Sequence, residues 1–269
     1  MRTSIIFAGL CALAAVTAAG AVTGTIKTEI GEAQQGNISW SSRDKAYVVT
    51  KGSKDGSWEV QVKAADVVEL DILKPEAFDA AVAQVNGGNG AAAIPALKNI
   101  VKEYSHLIWD KKAGRYLAEA YLAAEKPDEA LKTCEAIIAG EPSAAYKGDL
   151  APAYWSALLK LNRRSALEKN MEKALKGKDR FSRGAALLMT GDIIMKDGKE
   201  SNAACKKALT DGYLRVVYLY TDEDIAERLR PEALYKAALC FSTLRQSGRA
   251  DVMRMELKAS YASSPWAKK

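Results

Sequence analysis

Between Val22 and Ile72 apolar and polar positions alternate over short stretches, and from Glu76 onward the apolar positions recur at helical spacing. The first pattern predicts five strands: Gly24-Thr25-Ile26, Asn37-Ile38-Ser39-Trp40, Ala46-Tyr47-Val48-Val49, Trp58-Glu59-Val60-Gln61-Val62 and Val67-Val68-Glu69-Leu70. Alternation is clearest at Trp58, Val60 and Val62, which should face one core, and Gly31, Gly36, Gly52 and Gly56 supply turns. A compact, strongly bent sheet is expected. Lys74-Pro75 ends it, because a residue before proline is pushed to extended geometry and proline suits the first turn of a helix.

From Glu76 to Lys269, segments rich in Ala, Leu, Lys and Glu are broken by Gly, Pro, Asn or Asp, which predicts an all-helical remainder. Phe78 to Val85 and Ala91 to Val101 form one pair around the turn at Asn86 to Gly90. Further pairs are expected from Lys111 to Pro142, Tyr154 to Leu175, Ala185 to Leu209 and Pro231 to Trp266. Leu214 to Tyr220 carries β-branched and aromatic residues that suit a strand, and is read here as helix.

Small residues recur within these pairs at intervals of about thirty-four residues. In the clearest unit Ala118 and Ala130 are small where two helices cross, Leu117, Tyr121 and Ile137 fill the seam, and Pro142 ends the second helix. This spacing resembles a tetratricopeptide repeat, and Ala233, Ala238, Phe241, Ala250 and Leu257 keep it in the last unit. Gly191 matches the small place of the fourth unit, although Ala208 then arrives early. The stretch from Pro231 to Trp266 is similar to repeats of bacterial envelope proteins of the outer-membrane assembly lipoprotein and Tol-Pal coordinator type. The strand segment resembles small SH3-like or Sm-like barrels. The expected fold is therefore mainly α, a tetratricopeptide-like α-solenoid of about five helix pairs preceded by a small β-barrel-like module.

The first residues lead to the expectation that the protein is exported, to the periplasm or outer membrane or as a secreted protein. Arg2, an apolar stretch from Ile5 to Val16 and the small residues Ala19-Gly20-Ala21 read as a signal peptide over residues 1–21, leaving a β module at 22–73 and a repeat domain at 74–269. Cys11 follows Leu10 inside the apolar run, which does not suit a lipid-attachment site. No later stretch has the length of a membrane span. Removing Arg2 takes the net charge from +6 to +5, and the charges interleave along helix faces without the clustering that nucleic-acid binding requires. Cys134, Cys205 and Cys240 then remain, an odd number that excludes a disulfide scaffold but leaves a Cys205–Cys240 bridge open.

Chemistry is sparse. His106, the only histidine, reads as a loop residue, and Asp222-Glu223-Asp224 as a helix N-terminus whose carboxylates cap free N–H groups. No phosphate loop, paired-cysteine or metalloprotease motif occurs, and Asn86 to Gly90 is a turn. The expectation is a non-enzymatic envelope scaffold without cofactor or metal, binding a partner protein or peptide on the face made by first helices. By the resemblance, that face carries Lys112, Arg115 and Glu119, with Tyr235 and Lys236 in the last unit. The alternative is a carbohydrate- or peptidoglycan-associated module or enzyme, with Trp40, Tyr47 and Trp58 as stacking surfaces if they are not core.

Overall fold

The computed structural model describes residues 21–53 and 56–269, so the expected signal peptide and Cys11 lie outside the described residues except for Ala21. The protein is mainly α-helical with an N-terminal five-stranded antiparallel sheet. Two compact units contain these parts: one holds the sheet up to Leu73 together with Lys102–Leu107, the other Lys74–Val101 and Ile108–Lys269.

In the first unit β1 (Val22–Thr28), β2 (Gln34–Ser41), β3 (Ala46–Ser53), β4 (Gly56–Lys63) and β5 (Val67–Ile72) take the order β4-β3-β2-β1-β5. Each expected strand segment falls within one of them. Ile38 and Val49 face each other across β2 and β3, and both are fully buried with Ile26 at the centre of the core. Gly24 and Gly36 are partners across β1 and β2. A methyl added to Gly24 would lie 2.5 Å from the Asp71 carbonyl oxygen and one on Gly36 2.6 Å from that of Thr50, so glycine lets neighbouring backbones approach closely at these two positions. Only Val62 of the expected inward set is buried: Val60 is half-buried and Trp58 is 57% exposed, because it sits near the free end of the β3–β4 hairpin, opposite Lys51.

Among the described residues eleven α-helices follow the sheet in chain order: α1 (Glu76–Asn86), α2 (Gly90–Glu103), α3 (Trp109–Ala123), α4 (Pro127–Gly140), α5 (Leu150–Lys160), α6 (Arg164–Lys176), α7 (Arg180–Asp197), α8 (Asn202–Ala208), α9 (Leu214–Leu219), α10 (Glu223–Thr243) and α11 (Ser247–Ser260). A π-helical turn, Leu209–Tyr213, joins α8 to α9. The strand-like stretch at Leu214 is helical because Tyr213, Val216, Val217 and Tyr220 bury one helical face. Helices α3 and α4 pack together, as do α10 and α11, while α1 touches α3, α3 touches α5, α5 touches α7 and α7 touches α10.

Five turns share one geometry. Asn89 N–H donates to Gln84 O (2.8 Å), Lys126 to Tyr121 (2.8 Å), Arg163 to Leu158 (2.8 Å), Glu200 to Met195 (3.0 Å) and Gln246 to Phe241 (2.9 Å). In each the preceding residue is left-handed: Gly88, Glu125, Asn162, Lys199 and Arg245. Together they close the helix end with a Schellman-type cap. The first four are spaced by 37 residues, not about thirty-four, and the fifth follows after 46. Side chains from the next pair grip two of these turns: Lys160 Nζ donates to Glu125 (2.8 Å) and Lys196 Nζ to Asn162 Oδ1 (2.7 Å).

Aligned on these turns, the position seven residues before the left-handed residue holds Ala81, Ala118, Trp155, Asp192 and Ala238, so Asp192, not Gly191, corresponds to Ala118. Five residues after it stand Ala93, Ala130, Leu167, Ala204 and Ala250, all buried. Pro231, read as the start of the last unit, lies inside α10, which begins two turns earlier at Glu223.

Candidate functional site

Helical spacing puts Lys112, Arg115 and Glu119 on one face of α3. Arg115 Nε donates to Glu119 Oε1 at 3.0 Å, and its NH1 reaches Asp149 Oδ2 at 3.1 Å. Asp149, immediately before α5, also accepts from Arg228 NH2 of α10 at 2.5 Å. Arg228 lies over the Phe181 ring of α7, 3.7 Å from its centroid. The charges thus tie α3, α5, α7 and α10 together. Burial alone would lower the Arg115 pKa, but Glu119 and Asp149 more than offset it, so the guanidinium is held above its ordinary value. Lys112 Nζ sits 4.3 Å from the centroid of the Trp109 ring.

Tyr235 and Lys236 form a second group. Tyr235 packs on Trp266 with centroids 5.3 Å apart, and Lys269 lies 3.8 Å over the same indole. Lys236 Nζ donates to both Asp192 oxygens at 2.7 Å and to Glu232 at 2.5 Å, while Tyr213 OH donates to Asp192 Oδ1 at 2.9 Å. Burial opposes the ammonium charge, but Glu232 and Asp192 raise the Lys236 pKa above its ordinary value. Burial and the charge of Glu232 push Asp192 up, as expected where two carboxylates share one cation. No hydrogen bond or ion pair joins this group to the α3 group among the described residues. Sequence reasoning missed Asp149, Arg228, Asp192 and Glu232. Asp192 becomes visible once the turn register places it where alanine stands before three of the other four turns.

His106 has left-handed backbone and stacks on Trp40 with centroids 4.7 Å apart. Tyr47 packs edge-on against Trp40 and its OH donates to the His106 carbonyl at 3.2 Å. Trp40 and Tyr47 are therefore half-buried, whereas Trp58 presents its indole to solvent. Asp222 precedes the α10 N-terminus as expected, but its side chain accepts no cap hydrogen bond and instead pairs with Arg180 at 2.7 Å.

Cys134, Cys205 and Cys240 are buried free thiols. Burial, with nearby Glu119 and Glu135, pushes Cys134 up to about 12, and burial beside Cys205 pushes Cys240 up to about 12. Among the described residues no group of His, Cys, Asp and Glu has the geometry to hold a metal, and no helix is long and apolar enough to cross a membrane. Comparison with protein-family models, curated proteins and solved structures gave no match to the chain.

Proposed function

We propose that the chain is an exported, non-enzymatic scaffold of the cell envelope. Its helical part is read as a tetratricopeptide-like solenoid of five pairs: α1–α2, α3–α4, α5–α6, α7 with α8 and α9, and α10–α11. Its strand part is read as a small SH3-like or Sm-like barrel, for which the return of β5 to the side of β1 speaks. The partner, a protein or peptide, docks on the face of first helices. The observation that carries this reading is the five-fold recurrence of one hydrogen-bonded turn, with α1, α3, α5, α7 and α10 each in contact with the next. Such stacking lines successive first helices into one extended surface, the part of a solenoid that binds partners.

On that surface Lys112, Arg115 and Glu119 are the proposed contacts, with Tyr235 at the far end. Lys236 is assigned to holding α10 against α7, since its donors are already engaged by two carboxylates. Crosslinking in the native envelope, comparing the wild type with Lys112→Glu, whose ammonium contacts only the Trp109 ring among the described residues, tests the proposal. One or more envelope proteins should crosslink to the wild type and be lost from the variant at unchanged melting temperature. An identical crosslink pattern would remove this face from the site.

Trp58 favours a second reading, a glycan-binding β module, because an exposed indole offers an apolar stacking face. Binding to purified peptidoglycan that disappears in Trp58→Ala would move the function to the sheet.

A further inference from the structure

A groove of 360 Å³ lies between the C-terminal end of α6, α7 and the turn into α9. Two features coincide in it. Leu175 and Leu219 on its rim are 40% and 55% exposed, and Leu187 and Tyr220 continue the apolar wall inward. Arg183 and Arg215 also line it, and neither guanidinium has an ion-pair, hydrogen-bond or ring partner among the described residues. The neighbouring charges are mostly neutralised: Arg180 pairs with Asp222, and Asp211, the acidic residue of the lining, pairs with Lys207 at 2.9 Å. Two uncompensated cations therefore face an apolar slot.

A close backbone contact lies beside this slot. A methyl on Gly212 would lie 2.7 Å from the Gly191 amide nitrogen, so glycine against glycine lets the π-helical turn seat on α7. Single π-helical turns of this kind often mark functional positions.

We propose that this groove binds an acidic peptide segment bearing an apolar side chain, its carboxylates taken by Arg183 and Arg215 and its apolar group by Leu175, Leu187 and Leu219. Guanidinium forks match carboxylates by paired hydrogen bonds, which suits a carboxylate ligand. A membrane surface is disfavoured because lipid recognition draws on clusters of about four to eight basic residues, and this rim has two without a partner. The proposal is independent of the α3 face and of what docks there.

The test uses the full mature chain and a fluorescent synthetic peptide alternating aspartate and leucine. Its controls are an asparagine–leucine peptide and anionic phosphatidylglycerol vesicles. Saturable binding of the aspartate peptide is expected, with affinity falling about tenfold or more for the asparagine peptide and for Arg183→Glu/Arg215→Glu. Leu219→Ser should weaken binding several-fold, Lys112→Glu should leave it unchanged, and all variants should melt as the wild type does. Absence of binding, equal binding of the two peptides, unaltered binding by the arginine variant, or vesicle binding that alone depends on the arginines would each overturn the proposal.

Discussion

Ala118 and Asp192 occupy the same place relative to their turns, yet their surroundings are opposite in chemistry. Around Ala118, α3 and α4 meet through small groups: Ala118 and Ala130 are fully buried, and a methyl on Gly114 would lie 2.5 Å from Ile137 Cδ1. Around Asp192, α7 and α10 are joined by a carboxylate that Lys236 and Tyr213 satisfy, with Glu232 as second counter-charge. One backbone plan is thus held in one place by close approach and in another by a half-buried ion cluster. The difference matters energetically. An apolar crossing fails when it is overfilled, and an ionic one fails when one partner is removed and a charge is left unpaired.

Removing a partner should have the largest effect. Lys236→Met leaves Asp192 and Glu232 without their cation and should cost about 3 to 5 kcal/mol, measured by urea unfolding. Its pH dependence has a definite sign. The folded pKa of Asp192 lies above its ordinary 3.8, so the ionised carboxylate costs stability, and the variant's deficit should shrink as acidification protonates it. In the wild type the raised Lys236 pKa makes the lysine's contribution complete below 10.5 and lost as pH rises through the folded value. A deficit independent of pH would detach the loss from the ion cluster.

Overfilling comes next. Ala118→Trp should cost about 3 kcal/mol or more, since Ala118 is fully buried against its neighbours. An unchanged melting temperature would break the turn register. Gly212→Ala places its methyl against Gly191 and should cost about 1 to 3 kcal/mol, with near-wild-type melting counting against the glycine contact. Arg115→Ala removes a partly solvated pair and should cost no more than about 1 kcal/mol. A loss as large as that of Lys236→Met would erase the distinction between the two regions.

Much of this contrast was hidden from the sequence, and particular residues show why. The strands were legible because Ile26, Ile38, Val49 and Val62 mark the buried face of short alternating runs. The helix pairs were legible from Ala, Leu and their breakers. The turns were not: Glu125, Lys199 and Arg245 take left-handed backbone that composition assigns to glycine or asparagine, and tertiary contacts such as Lys160 to Glu125 hold one of them there. That obscured the 37-residue register and left Gly191 one place out. Pro231 signalled a helix start, yet Ala226 and Leu229 bury the two preceding turns and carry α10 through it. Of the site, the α3 face was readable as one helical stripe. Its partners Asp149 and Arg228 were not, because contacts between distant helices leave no local spacing.

The ion cluster's role is tested most directly by a double-mutant cycle on Asp192→Ala and Lys236→Met, read as unfolding free energy. Asp192→Ala restores the small side chain that stands at Ala118 and Ala238 and removes the charge that Lys236→Met strands. The double variant should therefore regain most of the stability lost by Lys236→Met alone, with a coupling energy of about 2 kcal/mol or more. Strictly additive losses would mean that Asp192 and Lys236 act separately, and the ionic account of the α7–α10 contact would fail.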